Sequence, residues 1–123
     1  AIAKTLRGLR HQFARRRLWA VFEPRSNTTR RAIFQHELPK ALAEADGVVM
    51  AQVARMEQLT PEQRLDPERV VQDIAATGRP AFYEADVDAI IARLRPLVQA
   101  PDVIVVLSNG GFGNIHERLL REL

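Results

Sequence analysis

Apolar residues follow two different patterns along the chain, and the two patterns alternate. Continuous apolar runs are typical of strands that are buried on both faces of a sheet. Such runs predict strands at 18–22, 48–53, 79–84 and 103–107. Elsewhere apolar residues recur at every third or fourth position, which is the spacing of one helix face. This spacing predicts helices at 1–15, from about 28 to 44, and at 66–78, 86–97 and 114–123.

Residues with strong local preferences set several boundaries of these helices. Asp66, which precedes a proline, is a typical N-cap, and Asp86 is expected to cap the next helix. Gly78 is expected to end the helix that Asp66 begins. Pro39 falls inside the second predicted helix and should kink or split it. The polar stretch 54–65 is predicted to be a loop.

Turns are predicted at 46–47 and 100–102, before the second and the fourth strand. Trp19, within the first strand, is expected to belong to the core rather than to a platform on which a ligand stacks.

The order of the elements is one helix followed by four strand–helix units. This alternation predicts a Rossmann-like α/β fold, with a mainly parallel sheet and helices on both faces, in a single domain of 123 residues. Because crossovers between parallel strands are right-handed, we expect the strand order 3-2-1-4. The first and fourth strands are then neighbours, and the chain winds in opposite directions from that point. A ligand crevice is expected at their carboxyl ends.

A polar loop follows each of these two strands. The first strand runs into Glu-Pro-Arg-Ser-Asn-Thr at 23–28, and the fourth into Ser-Asn-Gly-Gly-Phe-Gly-Asn-Ile-His at 108–116. An arginine is a fork-shaped donor for a carboxylate or phosphate, and glycines before a helix allow an anion to approach its N-terminus. The structural alternatives are helix capping by Asn27 or Thr28 and a tight turn that needs glycine for its geometry.

Composition and charge narrow the classes of partner. The net charge is +3, with arginines concentrated at 15–17 and 30–31, while acidic residues are dispersed through the chain. This pattern disfavours a nucleic-acid domain, and a small anionic ligand suits it at least as well. The triplet 15–17 is interpreted as a solvated helix end. With no cysteine, no signal peptide and no apolar run of membrane length, we expect a cytoplasmic protein that uses neither a membrane nor thiol chemistry.

The sequence contains no recognisable set of catalytic residues. It lacks a Gly-x-Ser-x-Gly sequence, histidines at metal-binding spacing and the Gly-Lys-Ser/Thr of a P-loop. A ligand-binding part of a larger enzyme is therefore a better hypothesis than an independent catalytic domain. A non-catalytic α/β anion-binding or regulatory module is the alternative. The absence of an initiator methionine and of a strand before the first helix favours a segment of a longer chain.

Taken together, the two loops resemble the C-terminal domain of Mur ligases. The sequences Phe-Glu-Pro-Arg-Ser-Asn-Thr at 22–28 and Leu-Ser-Asn-Gly-Gly-Phe-Gly-Asn-Ile-His at 107–116 carry the resemblance, which extends over essentially the whole chain. Within the family, these forms are more similar to the ligase of peptidoglycan recycling than to the ligase that adds L-alanine. The Asp-containing strand and His-His-Pro sequence that precede the first helix in the family are absent here.

The resemblance implies an activity and a set of site residues. Mur ligases use ATP and Mg²⁺, held mainly by a central domain, to activate a carboxylate as an acyl phosphate that an amine then attacks. The expected substrates are UDP-N-acetylmuramic acid and the tripeptide L-Ala-γ-D-Glu-meso-diaminopimelate, with the remaining domains of the same chain as partners. Arg25 is expected to hold a carboxylate of the tripeptide. The other expected binding residues are Ser26, Asn27, Thr28, Asn109, Gly110, Gly111, Asn114 and His116. Without the central domain, these 123 residues are expected to be inactive.

Overall fold

The fold alternates four helices with four strands in the part of the chain that the structure describes. The structure is a computed structural model that describes residues 2–23, 37–52, 60, 65–99 and 102–107. In chain order the elements are α1 (Ile2–Gln12), β1 (Leu18–Phe22), α2 (Glu37–Leu42), β2 (Gly47–Ala51), α3 (Pro67–Ala75), β3 (Ala81–Glu84), α4 (Val87–Leu94) and β4 (Val103–Leu107). The predicted helix at 114–123 and the first part of the helix predicted from about 28 lie outside the described residues.

The four strands form one parallel sheet in the order β3-β2-β1-β4, which confirms the predicted topology. β1 pairs with β2 on one side and with β4 on the other, and all five of its residues are buried. A strand paired on both edges and covered on both faces has no polar surface to present. This explains why Leu18–Phe22 is continuously apolar.

The core consists of two layers, one on each face of the sheet. On the first face, Leu6 of α1, Leu42 of α2 and Ile74 of α3 pack against alternate strand residues. On the second face, Ile90 and Leu94 of α4 pack against the other set of strand residues. Because successive strand side chains point to opposite faces, each strand contributes to both layers. The prediction of helices on both faces is confirmed.

Local preferences placed the starts of α3 and α4 correctly, whereas both helices end three residues earlier than predicted, at Ala75 and Leu94, and β3 begins at Ala81 instead of 79. Asp66 and Asp86 are the N-caps of α3 and α4, since their carboxylates accept the backbone N–H groups of residues three positions later at 3.2 Å and 2.8 Å. Gly78 follows the end of α3 with φ of 92°, a conformation that glycine adopts without strain. α1 ends at Gln12, earlier than predicted, because a turn stabilised by the hydrogen bond from Arg16 N–H to the Phe13 carbonyl (3.0 Å) follows it.

The beginning of β2 differs from prediction for a steric reason. Gly47, expected in a turn, is the first residue of the strand and lies opposite Trp19 of β1. A Cβ atom at Gly47 would lie 2.3 Å from the indole ring of Trp19. Trp19 is 2% exposed, so the expectation that it belongs to the core is confirmed. The missing side chain at Gly47 provides the space that the indole occupies.

Candidate ligand-binding edge of the sheet

The carboxyl ends of β1 and β4 lie side by side. Phe22 pairs with Leu107, and the Glu23 N–H donates to the Leu107 carbonyl at 3.1 Å, which extends the pairing one residue beyond β1. Neighbouring parallel strands are separated by about 5 Å. The two polar loops identified in the sequence therefore leave the sheet from adjacent points, as predicted. We call this place the β1–β4 edge.

The predicted binding residues all lie outside the described residues, in the segments 24–36 and 108–123. They are Arg25, Ser26, Asn27, Thr28, Asn109, Gly110, Gly111, Asn114 and His116. The structure brings together the two points from which their segments leave the sheet. Arg25 is two residues beyond Glu23, and Asn109 is two residues beyond Leu107. The segments that contain them therefore leave the sheet at the β1–β4 edge.

The opposite edge of the sheet, at the amino ends of β1 and β4, is held by the carboxylate of Asp102. Oδ2 accepts hydrogen bonds from Arg17 Nη2 at 2.7 Å, from Trp19 Nε1 at 3.1 Å and from the Gln99 N–H at 3.0 Å, while Oδ1 accepts from Arg17 Nε at 3.2 Å. The side chain of Asp102 is only 6% exposed. Burial by itself raises the pKa of this carboxyl, but the hydrogen bonds and the charge of Arg17 outweigh burial and hold the pKa below its ordinary value.

Asp46 holds the other side of the same edge. Its Oδ2 accepts the Leu18 N–H at 2.8 Å, and its own N–H donates to the Leu18 carbonyl at 2.8 Å. Arg10 and Arg79 bring guanidinium nitrogens to 3.5 Å and 3.7 Å from its Oδ1. The first residue of β1 is therefore fixed by a reciprocal pair of hydrogen bonds within a group of charges.

The roles of Asp46 and Asp102 were missed in the sequence, where both residues were assigned only to turns. The interpretation of residues 15–17 as a solvated helix end was incomplete, because Arg17 bonds to Asp102 and to the Leu97 carbonyl at 2.9 Å. One signal was present: an aspartate directly precedes each of the two strands that flank β1. These contacts stabilise the frame, and they lie at the end of the sheet away from the candidate site.

At the carboxyl end of β3, polar side chains contact one another. Glu84 Oε2 lies 3.2 Å from Arg93 Nε, and the Arg93 guanidinium lies 4.6 Å from the centre of the Phe82 ring. Tyr83, which precedes Glu84 on β3, has a pKa raised above its ordinary value by burial and by the negative charge of Glu68. The contacts of Arg93 stabilise the packing of α4 on β3.

Neither a metal-binding cluster nor a P-loop identifies an ATP or Mg²⁺ site among the described residues. Among them, no three His, Asp or Glu side chains are grouped so that they could hold a metal ion, and the full sequence has no P-loop. In the described part of the chain, no helix combines the length and the apolar character that crossing a bilayer requires.

Topology places this chain in the class of open, doubly wound α/β domains whose ligands bind where the strand order reverses. A family model described as "Mur ligase, glutamate ligase domain" matches residues 1–110. The chain therefore belongs to the Mur ligase family.

Individual relatives agree with this assignment. The chain is 37% identical to the UDP-N-acetylmuramate–L-alanyl-γ-D-glutamyl-meso-2,6-diaminoheptandioate ligase of Escherichia coli over 98% of its own length, and 38% identical to the ligase of the same name from Haemophilus influenzae over 100%. It is 32% identical to the UDP-N-acetylmuramate–L-alanine ligase of Thiobacillus denitrificans over 93%. It spans about a quarter of the length of each, namely 24%, 25% and 24%.

Two solved structures share the fold. A murein peptide ligase from Psychrobacter arcticus superposes with a TM-score of 0.77 at 32% identity, over 98% of this chain and 24% of that one. A crystallised domain from Haemophilus ducreyi, assigned as a UDP-N-acetylmuramate:L-alanyl-γ-D-glutamyl-meso-diaminopimelate ligase, gives 0.70 at 30% identity, over 98% of this chain and 79% of that one. The second structure is of a separate domain, of which this chain covers about four fifths.

Proposed function

We propose that this chain is the C-terminal domain of a three-domain, ATP-dependent ligase that acts in cytoplasmic peptidoglycan recycling. The proposed reaction forms an amide between UDP-N-acetylmuramic acid and the amine of L-Ala-γ-D-Glu-meso-diaminopimelate. The names of the E. coli and H. influenzae relatives support this substrate pair. Their identities of 37% and 38% exceed the 32% found for the L-alanine ligase of T. denitrificans.

The proposed role of the domain is to bind the incoming tripeptide and to close the ATP site. The observation that carries this role is the pairing of β1 with β4 up to the hydrogen bond between Glu23 and Leu107. Two loops that leave the sheet about 5 Å apart share one crevice, so an arginine in one loop and glycines in the other act on the same ligand. Arg25 is proposed to bind a carboxylate of the tripeptide as a bidentate donor.

The remaining assignments depend on the same crevice. Ser26, Asn27 and Thr28 are proposed to flank Arg25 on the first loop. The second loop is proposed to form the facing wall through Asn109, Gly110, Gly111 and Asn114, with His116 behind it. Because the sequence has no P-loop, we assign the ATP and Mg²⁺ sites mainly to the central domain of the full-length enzyme.

The test is Arg25→Ala in the full-length ligase, measured as phosphate release with each substrate varied in turn. A charge-assisted contact of this kind contributes roughly 1.5–3 kcal/mol. The KM for tripeptide should therefore rise about tenfold or more, while the KM for ATP changes much less. Arg25→Lys should restore little, because an ammonium group does not reproduce the two parallel hydrogen bonds of a guanidinium.

Arg95→Ala is the matched control, because Arg95 is exposed and follows α4. It removes the same charge and should leave both KM values unchanged. An unchanged tripeptide KM for Arg25→Ala would assign Arg25 a structural role. The same assay with L-alanine in place of tripeptide separates the proposal from an L-alanine-adding ligase: turnover with L-alanine alone would reject the tripeptide assignment.

A further inference from the structure

A groove rich in arginine lies at the C-terminal end of α1, on the amino side of the sheet. Its volume is about 420 Å³, and the residues that line it include Arg10, Phe13, Arg15, Arg16, Arg17 and Asp46. Four arginines and one aspartate give the lining a formal charge of +3, equal to the net charge of the whole chain. We call this feature the arginine groove. The five residues of β1 separate it from the β1–β4 edge by about 16 Å.

The four guanidinium groups of the groove fall into two pairs. Arg10 and Arg17 already contact carboxylates, at 3.5 Å from Asp46 and 2.7 Å from Asp102, and their contacts fix the walls of the groove. Arg15 and Arg16 are exposed, and neither forms an ion pair with any residue in the described part of the chain. These two side chains provide positive charge that the described fold does not neutralise.

The backbone that carries the second pair is held in place. Phe13 N–H donates to the Leu9 carbonyl at 2.8 Å, and Arg16 N–H donates to the Phe13 carbonyl at 3.0 Å, so the turn after α1 is closed by two hydrogen bonds. The Arg16 guanidinium lies 5.6 Å from the centre of the Phe13 ring, within the range of a cation–π contact. Both Arg16 and the Phe13 ring that it contacts line the groove.

We propose that the arginine groove binds a diphosphate group, with Arg15 and Arg16 each donating to one phosphate. A guanidinium donates two parallel hydrogen bonds to a phosphate. Two adjacent arginines therefore suit a diphosphate better than a single phosphate. The C-terminal end of α1 is the negative end of its dipole and repels an anion. The guanidinium groups must therefore supply the attraction, and binding should weaken as salt screens them. This site is independent of the proposed ligase reaction.

The experiment is calorimetric titration of the 123-residue chain, after thermal unfolding has shown that it folds cooperatively on its own; it covers 79% of a Haemophilus ducreyi domain that was crystallised as a separate unit. Inorganic pyrophosphate and inorganic phosphate are the first probes, at low and at raised ionic strength. We expect pyrophosphate to bind at least tenfold more tightly than phosphate, and its affinity to fall with added salt. ADP and AMP form a second pair of probes. If ADP binds with an affinity like that of pyrophosphate, and AMP binds no more tightly than phosphate, the site also accepts nucleoside diphosphates.

The decisive variant is Arg15→Gln combined with Arg16→Gln, which should raise the Kd for pyrophosphate at least tenfold. Arg69→Gln combined with Arg95→Gln is the control, because Arg69 lies on α3, Arg95 directly follows α4, both are exposed, and this double variant lowers the net charge by the same amount. Equal weakening by the two double variants would show a general charge effect and overturn the site. So would a pyrophosphate affinity no better than that of phosphate, or no binding at low salt. Thermal unfolding of each variant confirms that the fold is retained.

Discussion

Replacing Gly47 by alanine tests the packing between β1 and β2 at its tightest point. A Cβ atom there would lie 2.3 Å, 2.5 Å and 2.9 Å from three atoms of the Trp19 ring, closer than carbon atoms pack. Gly47 does not adopt the positive φ seen at Gly78, so alanine is allowed by the backbone and excluded only by the indole. Trp19 is buried and its Nε1 donates to Asp102, so a shift of the ring would disturb both its packing and this hydrogen bond.

The expected loss of stability has three parts. Forcing one carbon into a packed core costs about 1–3 kcal/mol. If the indole shifts, its hydrogen bond to the Asp102 carboxylate weakens, and a bond to a charged group contributes about 1.5–3 kcal/mol. Alanine also restricts the unfolded chain, which returns about 0.4–1 kcal/mol. The net destabilisation should be about 3 kcal/mol, which for a domain of this size lowers Tm by roughly 10 °C.

Urea unfolding of a double-mutant cycle gives the sharpest measurement. Trp19→Leu removes the ring atoms that obstruct position 47, so adding Gly47→Ala in that background should be neutral or slightly stabilising. The two changes should therefore couple by about 3 kcal/mol, far above the roughly 0.5 kcal/mol or less of independent sites. Gly8→Ala is the control, because Gly8 lies within α1 and a Cβ atom there would meet no atom within 4 Å outside its own stretch of helix, so alanine should stabilise by about 0.5–1 kcal/mol. Additive effects at positions 19 and 47 would refute the steric explanation.

Three further outcomes are expected. Because the pKa of Asp102 is lower in the folded state, its contribution to stability is present above about pH 4, the ordinary value, and is lost as pH falls through the folded pKa. Asp102→Asn should lower the free energy of unfolding at pH 7 by about 2 kcal/mol and should reduce the loss of stability in acid. An unchanged dependence of stability on acid pH would contradict this. Tyr83 is the only tyrosine, so phenolate absorbance should show it ionising above pH 10, and at lower pH in the Glu68→Gln variant. An unchanged titration in Glu68→Gln would show that the charge of Glu68 does not affect Tyr83. The 123-residue chain alone should release no phosphate from ATP with UDP-N-acetylmuramic acid and tripeptide, and turnover above a no-enzyme control would disprove the assigned roles.

Features set by neighbouring residues were predictable, and those set by distant partners were not. β1 and β4 were predicted with the bounds that the structure has, because a strand buried on both faces has a continuous apolar sequence. Asp66 and Asp86 were identified because an N-cap acts on a residue three positions away. Asp102 and Trp19 are 83 residues apart, and no local pattern shows that they meet.

The candidate site divides in the same way. The adjacency of β1 and β4 was deduced from the alternation of elements and the handedness of crossovers, and it is confirmed. The orientation of Arg25 and Asn109 depends on loop conformation and on ligand, so their contacts stay predictions. At Gly47 the prediction was wrong. The sequence Asp46-Gly47 suggested a turn, whereas glycine is required there because the ring of Trp19, on the neighbouring strand, occupies the space of a side chain.

The contacts of Asp46 and Asp102 at the amino edge have a consequence for how such a domain diversifies. β1 is paired on both sides and anchored at its first residue by contacts that involve none of the residues beyond Glu23 or Leu107. Substitutions in the two loops therefore leave these contacts of β1 in place. Transplanting both loops together from a ligase with another amine substrate should transfer substrate preference, whereas transplanting one alone should leave two halves of a crevice that no longer match.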